Sequence, residues 1–178
     1  MRDPELDVAR KAIDLILEAQ WPYPAFAVDR HWMVAASHQA LPELYAGVAD
    51  GLLKQPINAL RLSLHPEGLA PRISNLAEWR AHVLPRLRRQ VDLTSDPVLA
   101  DFLRELSADP VPGSPASDAP SAAREFAGVV FPLQIVVGGT ALAFFTTITL
   151  FATPTDVTLS ELAIESFFPA EVVRRLSR

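Results

Sequence analysis

The sequence predicts an α+β fold: a five-stranded antiparallel sheet with helices packed on one face, preceded by an N-terminal helix. Three observations predict it. Along the chain the hydrophobic patterns run helix, two short strands, several helices, then two or three strands. The uncharged stretch over residues 126–155 divides at Gly138-Gly139 into two runs rich in β-branched residues, which is hairpin spacing. With 178 residues, 49% of them hydrophobic, the chain can bury a core of its own without a metal or disulfide.

Each element has a local cause. Asp3-Pro4 is a helix start, and Leu6, Ala9, Ile13, Ile16 and Leu17 follow at helical spacing. Trp21-Pro22-Tyr23-Pro24 ends that helix, because each Pro biases the residue before it toward extended backbone. Strands over residues 25–28 and 32–36 flank the polar turn Asp29-Arg30-His31. Phe26 and Val28 share one face of the first strand, and Trp32, Val34 and Ala36 one face of the second. A short apolar helix over residues 57–64 closes at His65-Pro66-Glu67-Gly68. Asn75 and Glu78 stand at capping-box spacing before a helix with the stripe Leu76, Trp79, Val83 and Leu87, running toward Val91. Pro85 is expected to kink or split it. Asp96-Pro97 repeats the start signal ahead of Leu99, Phe102, Leu103 and Leu106.

Residues 108–124 hold Ala, Ser, Asp, Gly and four prolines, so they read as a flexible loop inserted into the domain. Hairpin strands follow over residues 129–137 and 141–152. In the second, Leu142, Phe144, Ile148 and Leu150 line one face, the one expected to meet the core. Residues 161–168 fit a short helix or a fifth strand. The division expected is an N-terminal linker helix over 1–20, a domain over 21–169 and a C-terminal tail over 170–178.

Composition narrows function. Cys is absent, which excludes thiol catalysis, disulfides and Cys-ligated metals. A net charge of −5 argues against a chain that binds nucleic acid by itself. Fourteen Arg against two Lys, in an Ala- and Pro-rich chain, fits a GC-rich bacterial genome. The N-terminus lacks the pattern of a secretory signal. Residues 126–155 are long enough to span a bilayer, but Pro132, the glycine pair and the β-branched residues favour strands, so a soluble cytoplasmic protein is expected. His31, His38, His65 and His82 show no metal-ligand spacing, and neither a serine elbow nor a phosphate loop occurs. No catalytic residue, metal or cofactor is assigned. Arg72, Arg80, Arg86, Arg88 and Arg89 against Glu78 make one region basic. They suit a solvated helix face, contact with a partner's acidic groups or a DNA backbone, or a pocket mouth that pairs with a carboxylate.

The strand–strand–helices–strands order is the plan of a PAS domain, a sensory fold that often holds a small ligand between helices and sheet. The residues Tyr23-Pro24-Ala25, Val28-Asp29-Arg30-His31-Trp32 and Asn58-Ala59-Leu60-Arg61-Leu62-Ser63-Leu64-His65-Pro66 carry a closer likeness. So do Gly68-Leu69-Ala70-Pro71-Arg72-Ile73, Glu78-Trp79-Arg80-Ala81-His82, Asp156-Val157-Thr158-Leu159 and Phe167-Phe168-Pro169. In this order, from about Gln20 to Pro169, the chain resembles the MmyB-like transcription-regulator ligand-binding domain. No single motif is decisive; their collinearity makes the likeness specific.

The resemblance implies a PAS-like domain over 21–169, with residues 162–168 as the last strand. It also implies that an XRE-type helix-turn-helix normally precedes the domain; before Trp21 there is room for one helix at most, so this chain is expected to lack its own. Two smaller departures are Ser37-His38, where relatives tend to show Asn-Arg, and Pro85. The expected function is a small-molecule-sensing module of a bacterial transcription regulator, taking an apolar or fatty-acid-like ligand. Phe26, Trp32, Leu60, Leu64, Trp79, Val83 and Phe144 are the candidate ligand-binding walls, with Arg72 or Arg80 for a carboxylate head. Phe102 and Phe131 are further aromatics expected in the layer between helices and sheet. Expected partners are that ligand and a homodimer mate or a helix-turn-helix domain, with no direct nucleic-acid or membrane contact. The alternative is a dimerisation or protein-docking module without a small-molecule ligand, using the N-terminal helix and the Thr-bearing sheet face.

Overall fold

A computed structural model describes residues 4–39, 41–108, 132–151 and 162–170. Helix α1 (Pro4–Ala19) leads into strands β1 (Ala25–Val28) and β2 (Val34–Ser37). After a 3-10 turn at Leu41–Tyr45 come α2 (Ala59–Leu64), α3 (Leu76–Thr94) and α4 (Pro97–Ala108). The chain closes with β3 (Leu133–Val137), β4 (Thr140–Leu150) and β5 (Ala163–Pro169). The strands form one antiparallel sheet in the order β2-β1-β5-β4-β3. The last strand therefore inserts between the two hairpins, and residues 163–169 are a strand, not a helix.

Alternation along the central strands sends side chains to two separate cores. Phe26 and Val28 of β1 join Leu60, Trp79, Leu99, Leu133 and Phe167 in the larger core, beneath α2, α3 and α4. Ala25, Ala27 and Ile164 face the other way and meet Ile13 and Leu17 of α1. The middle helices thus cover one face as expected, and α1 lies across part of the opposite face.

The registers define rows on the inner face. Phe26 stands opposite Glu165, which stands opposite Ile148; Val28 stands opposite Ala163, which stands opposite Leu150. The helical layer stops short of these outer rows. Ile148 is 41% exposed and Leu150 68%, so the expected buried stripe on β4 holds at Phe144 and fails beyond it. Periodicity fixes which residues share a face but not how far the facing helices reach.

Two local expectations also need correction, and a third is narrowed. Trp32 is not a strand residue: its φ is +65°, and β2 begins two residues later. Of the two outcomes expected at Pro85, a kink or a split, the split does not occur: helix α3 is continuous through it. Asn75 stands at the α3 N-terminus but makes no side-chain cap. Its side-chain NH2 donates instead to the Pro132 carbonyl (2.8 Å) and its Oδ1 accepts from the Gln134 amide (3.0 Å), tying α3 to β3. Asn58 does cap, accepting from the Arg61 amide at 3.0 Å. The Gly138-Gly139 turn is present, with both glycines at positive φ. The reading of residues 126–155 as strands holds for its described part, since β3 and β4 pair from Leu133–Phe144 to Val137–Thr140. Among the described residues no helix is long and apolar enough to cross a membrane. Of the loop expected over residues 108–124, Ala108 ends α4 and the rest lies outside the described residues, as do Phe131, Asp3 and the tail beyond 170.

Candidate functional site

Between the sheet and the helices lies an enclosed apolar cavity of about 60 Å³. Phe26, Glu165 and Phe167 form its sheet side, Leu60 and Trp79 its helical side, and Leu41, Leu44 and Tyr45 a wall contributed by the 3-10 turn. Leu133 and Ile135 of β3 close the end. Burial pushes the Tyr45 phenol up to about 12, so it stays a neutral hydroxyl. Trp79 donates its indole N–H to the Ser63 hydroxyl (2.8 Å), which fixes the ring that roofs the space.

Of the residues that the sequence puts forward, Phe26, Leu60 and Trp79 meet at this cavity. Leu64, Val83 and Phe144 do not line it: they are packed into the surrounding core. Trp32 borders a different space, described below. Arg72 donates to the carbonyl of Leu44, in the cavity's 3-10 wall. Arg80 is buried and donates to the Leu106 carbonyl at 2.6 Å, so its guanidinium satisfies the end of α4.

Sequence reasoning missed Glu165 and Arg86. Glu165 is the one charged residue of β5 and shares its inward parity with Ala163 and Phe167. A charge at an inward position of an apolar strand was the available signal. Burial pushes its carboxyl above the usual range, while the Arg86 guanidinium, donating at 2.8 Å, opposes the shift. Arg86 also lies 4.5 Å above the Trp32 ring.

On the far side of that ion pair an open groove of about 420 Å³ runs over the uncovered rows of the sheet. Trp32 and Arg86 form its inner end, with Arg89 and Leu93 of α3 on one side and Ile148 and Leu150 of β4 on the other. Among the described residues no cluster of three or more His, Asp or Glu could hold a metal.

A five-stranded antiparallel sheet with a largely apolar space under its helices is the architecture of an α+β domain with room for a small apolar group. The family comparison is specific: the model of the MmyB-like transcription regulator ligand binding domain matches residues 9–175, and the chain belongs to that family. It is a family of regulator domains, not of enzymes. No curated protein matches the sequence.

Proposed function

We propose that this chain is the sensing half of a bacterial transcription regulator, and that it binds an apolar, fatty-acid-like molecule between sheet and helices. The cavity carries this reading. Its walls are aromatic and aliphatic, with the Ser63 and Tyr45 hydroxyls and Glu165 as the polar groups among them. A space so lined favours hydrocarbon over water.

Each buried methylene contributes about 0.8 kcal/mol, so about ten of them outweigh the ordering of a flexible chain. At about 60 Å³ the resting cavity holds only a few heavy atoms, so a longer chain requires one wall to move. The 3-10 segment Leu41–Tyr45 is the wall without regular helix or sheet pairing, and it carries three of the lining residues. Its displacement is the signal that a DNA-reading partner domain would receive.

The test is native mass spectrometry of the purified chain, alone and after exposure to saturated fatty acids. A co-purified or acquired apolar ligand is expected, and Leu60→Trp is expected to abolish uptake at the cavity while the fold persists. An empty dimer that takes up no such probe would favour the dimerisation reading instead.

A further inference from the structure

The Arg86–Glu165 pair stands as a partition between two spaces. Glu165 lines the enclosed cavity, and Arg86 lines the open groove. The groove is amphiphilic. Arg30, Arg86 and Arg89 border one part of it, in a chain whose net charge is −5. Leu93, Ile148 and Leu150 border the rest and are 80%, 41% and 68% exposed. Asp29 is the acidic residue on the rim, and its Oδ1 already accepts from the His31 and Met33 amides at 2.8 and 2.9 Å.

The inner end of the groove is held in place from three directions. Gln90 accepts from the Trp32 indole N–H at 3.0 Å and donates to the Arg30 carbonyl at 2.7 Å. His31 pairs with Asp96 at 2.9 Å, and Asn58 donates to the His31 carbonyl at 3.0 Å. These bonds hold Trp32 in a left-handed conformation that bulky side chains rarely adopt. Such strain persists only where the surroundings enforce it, and it collects at ligand sites. A guanidinium stacked on a fixed indole, with one partner carboxylate and a third of its side chain open to solvent, is poised to accept a second anion.

We propose that this groove is a binding site, separate from the cavity, for an amphiphilic anion: the head group takes Arg86 in place of, or alongside, Glu165, and the apolar part lies along Leu93, Ile148 and Leu150. The groove's volume is in the range of sites for small organic ligands. Complementary charge selects an anion over a neutral or cationic amphiphile, and the three exposed apolar side chains exclude a bare ion such as phosphate as the best occupant. Glu165 competes for the same guanidinium, so its neutralisation strengthens binding.

The experiment uses the full chain with three probes of equal length: dodecanoate, dodecanol and dodecyltrimethylammonium. Dodecanoate is expected to bind about tenfold more tightly than either of the others, the effect of one charge-assisted contact. Leu93→Glu and Leu150→Glu change exposed side chains, so the fold persists, and each is expected to weaken dodecanoate binding about tenfold. Glu165→Gln is expected to strengthen groove binding severalfold, and Leu60→Trp, on the cavity side, to remove the cavity's share of uptake and leave the groove's unchanged.

Dodecanoate binding that Leu60→Trp abolishes and Leu93→Glu and Leu150→Glu leave intact belongs to the cavity; it overturns the groove site and upholds the sensing function. Failure of the parent chain to bind dodecanoate, or equal binding of dodecanol, also overturns it. So does self-association that Leu93→Glu or Leu150→Glu disrupts without any dodecanoate binding, which gives the groove to a second copy.

Discussion

Glu165 is buried in β5 with Arg86 as its ion partner, and the two influences on its carboxyl are unequal: burial raises its pKa more than the guanidinium lowers it. The folded chain therefore holds this proton more tightly than the unfolded chain, whose reference value is 4.5. The group's contribution to stability is complete below about 4.5 and is lost as pH rises through the folded-state value. Urea midpoints followed upward from pH 4.5 should show that decline in the parent and not in Glu165→Gln. Identical pH profiles for the two proteins would show that the carboxyl is not desolvated. Leu64 makes a second contrast, with 1% of its surface exposed in the tightly packed core and no edge on the cavity. Leu64→Ala should cost about 2–5 kcal/mol in urea unfolding. Leu60 lies four residues earlier on the same helix and borders free space, which is why it is the position for a larger side chain. Spacing places both leucines on the buried face of α2, but packing against other elements decides which one borders the cavity. That distinction was not legible in the sequence.

At the scale of the element, α2 and α3 end by different means. Helix α2 is followed by Gly68, whose α-carbon lies so close to the Leu62 carbonyl that a β-carbon would collide with backbone. The next amide, of Leu69, donates to that same carbonyl at 2.8 Å. Gly68→Ala should therefore destabilise the fold by about 1–3 kcal/mol, read as a lower thermal midpoint. Helix α3 ends at Ser95, in the left-handed region at φ 52°, with its amide donating to the Val91 carbonyl at 2.8 Å. Glycine suits that conformation better, and Ser95→Gly should stabilise by about 1 kcal/mol. A fall in midpoint would mean that the serine side chain contributes more than its backbone strain costs. Start signals were the legible part of these helices: Pro4 and Asp96-Pro97 stand where α1 and α4 begin, and Asp96 Oδ1 accepts from the Val98 amide at 2.9 Å. Asn75 shows the limit of such signals. Its sequence spacing is that of a cap, but β3, some sixty residues away, offers it better partners.

For the whole molecule, the succession of helices and strands along the chain was the most legible property and the extent of helical cover the least. Alternation and turn residues identify the hairpins, and the resemblance marks residues 162–168 as a strand; its central place in the sheet comes from the structure. Nothing in a local window reports that β4 outruns the helices at Ile148, and the groove is the product of that mismatch. The placement of α1 can be tested directly. Leu17 is 4% exposed against Ala25, Ala27 and Ile164, so Leu17→Ala should loosen the helix from the sheet. Amide exchange should then quicken across α1 while β3 and β4 keep their protection. Uniform loss of protection would show that the two cores unfold as one unit.

Strand β1 is a partition one residue thick. Phe26 presses on the cavity from one side, and its neighbours Ala25 and Ala27 rest against Ile13 and Leu17 on the other. Alanine has no side-chain torsion, so these two positions cannot absorb a displacement by turning. Were a guest to press on Phe26 as well as on the 3-10 wall, the backbone itself would have to yield, and α1, which rests on Ala25 and Ala27, would take up the motion as a tappet takes up the lift of a cam. Wall and pushrod are the same four residues.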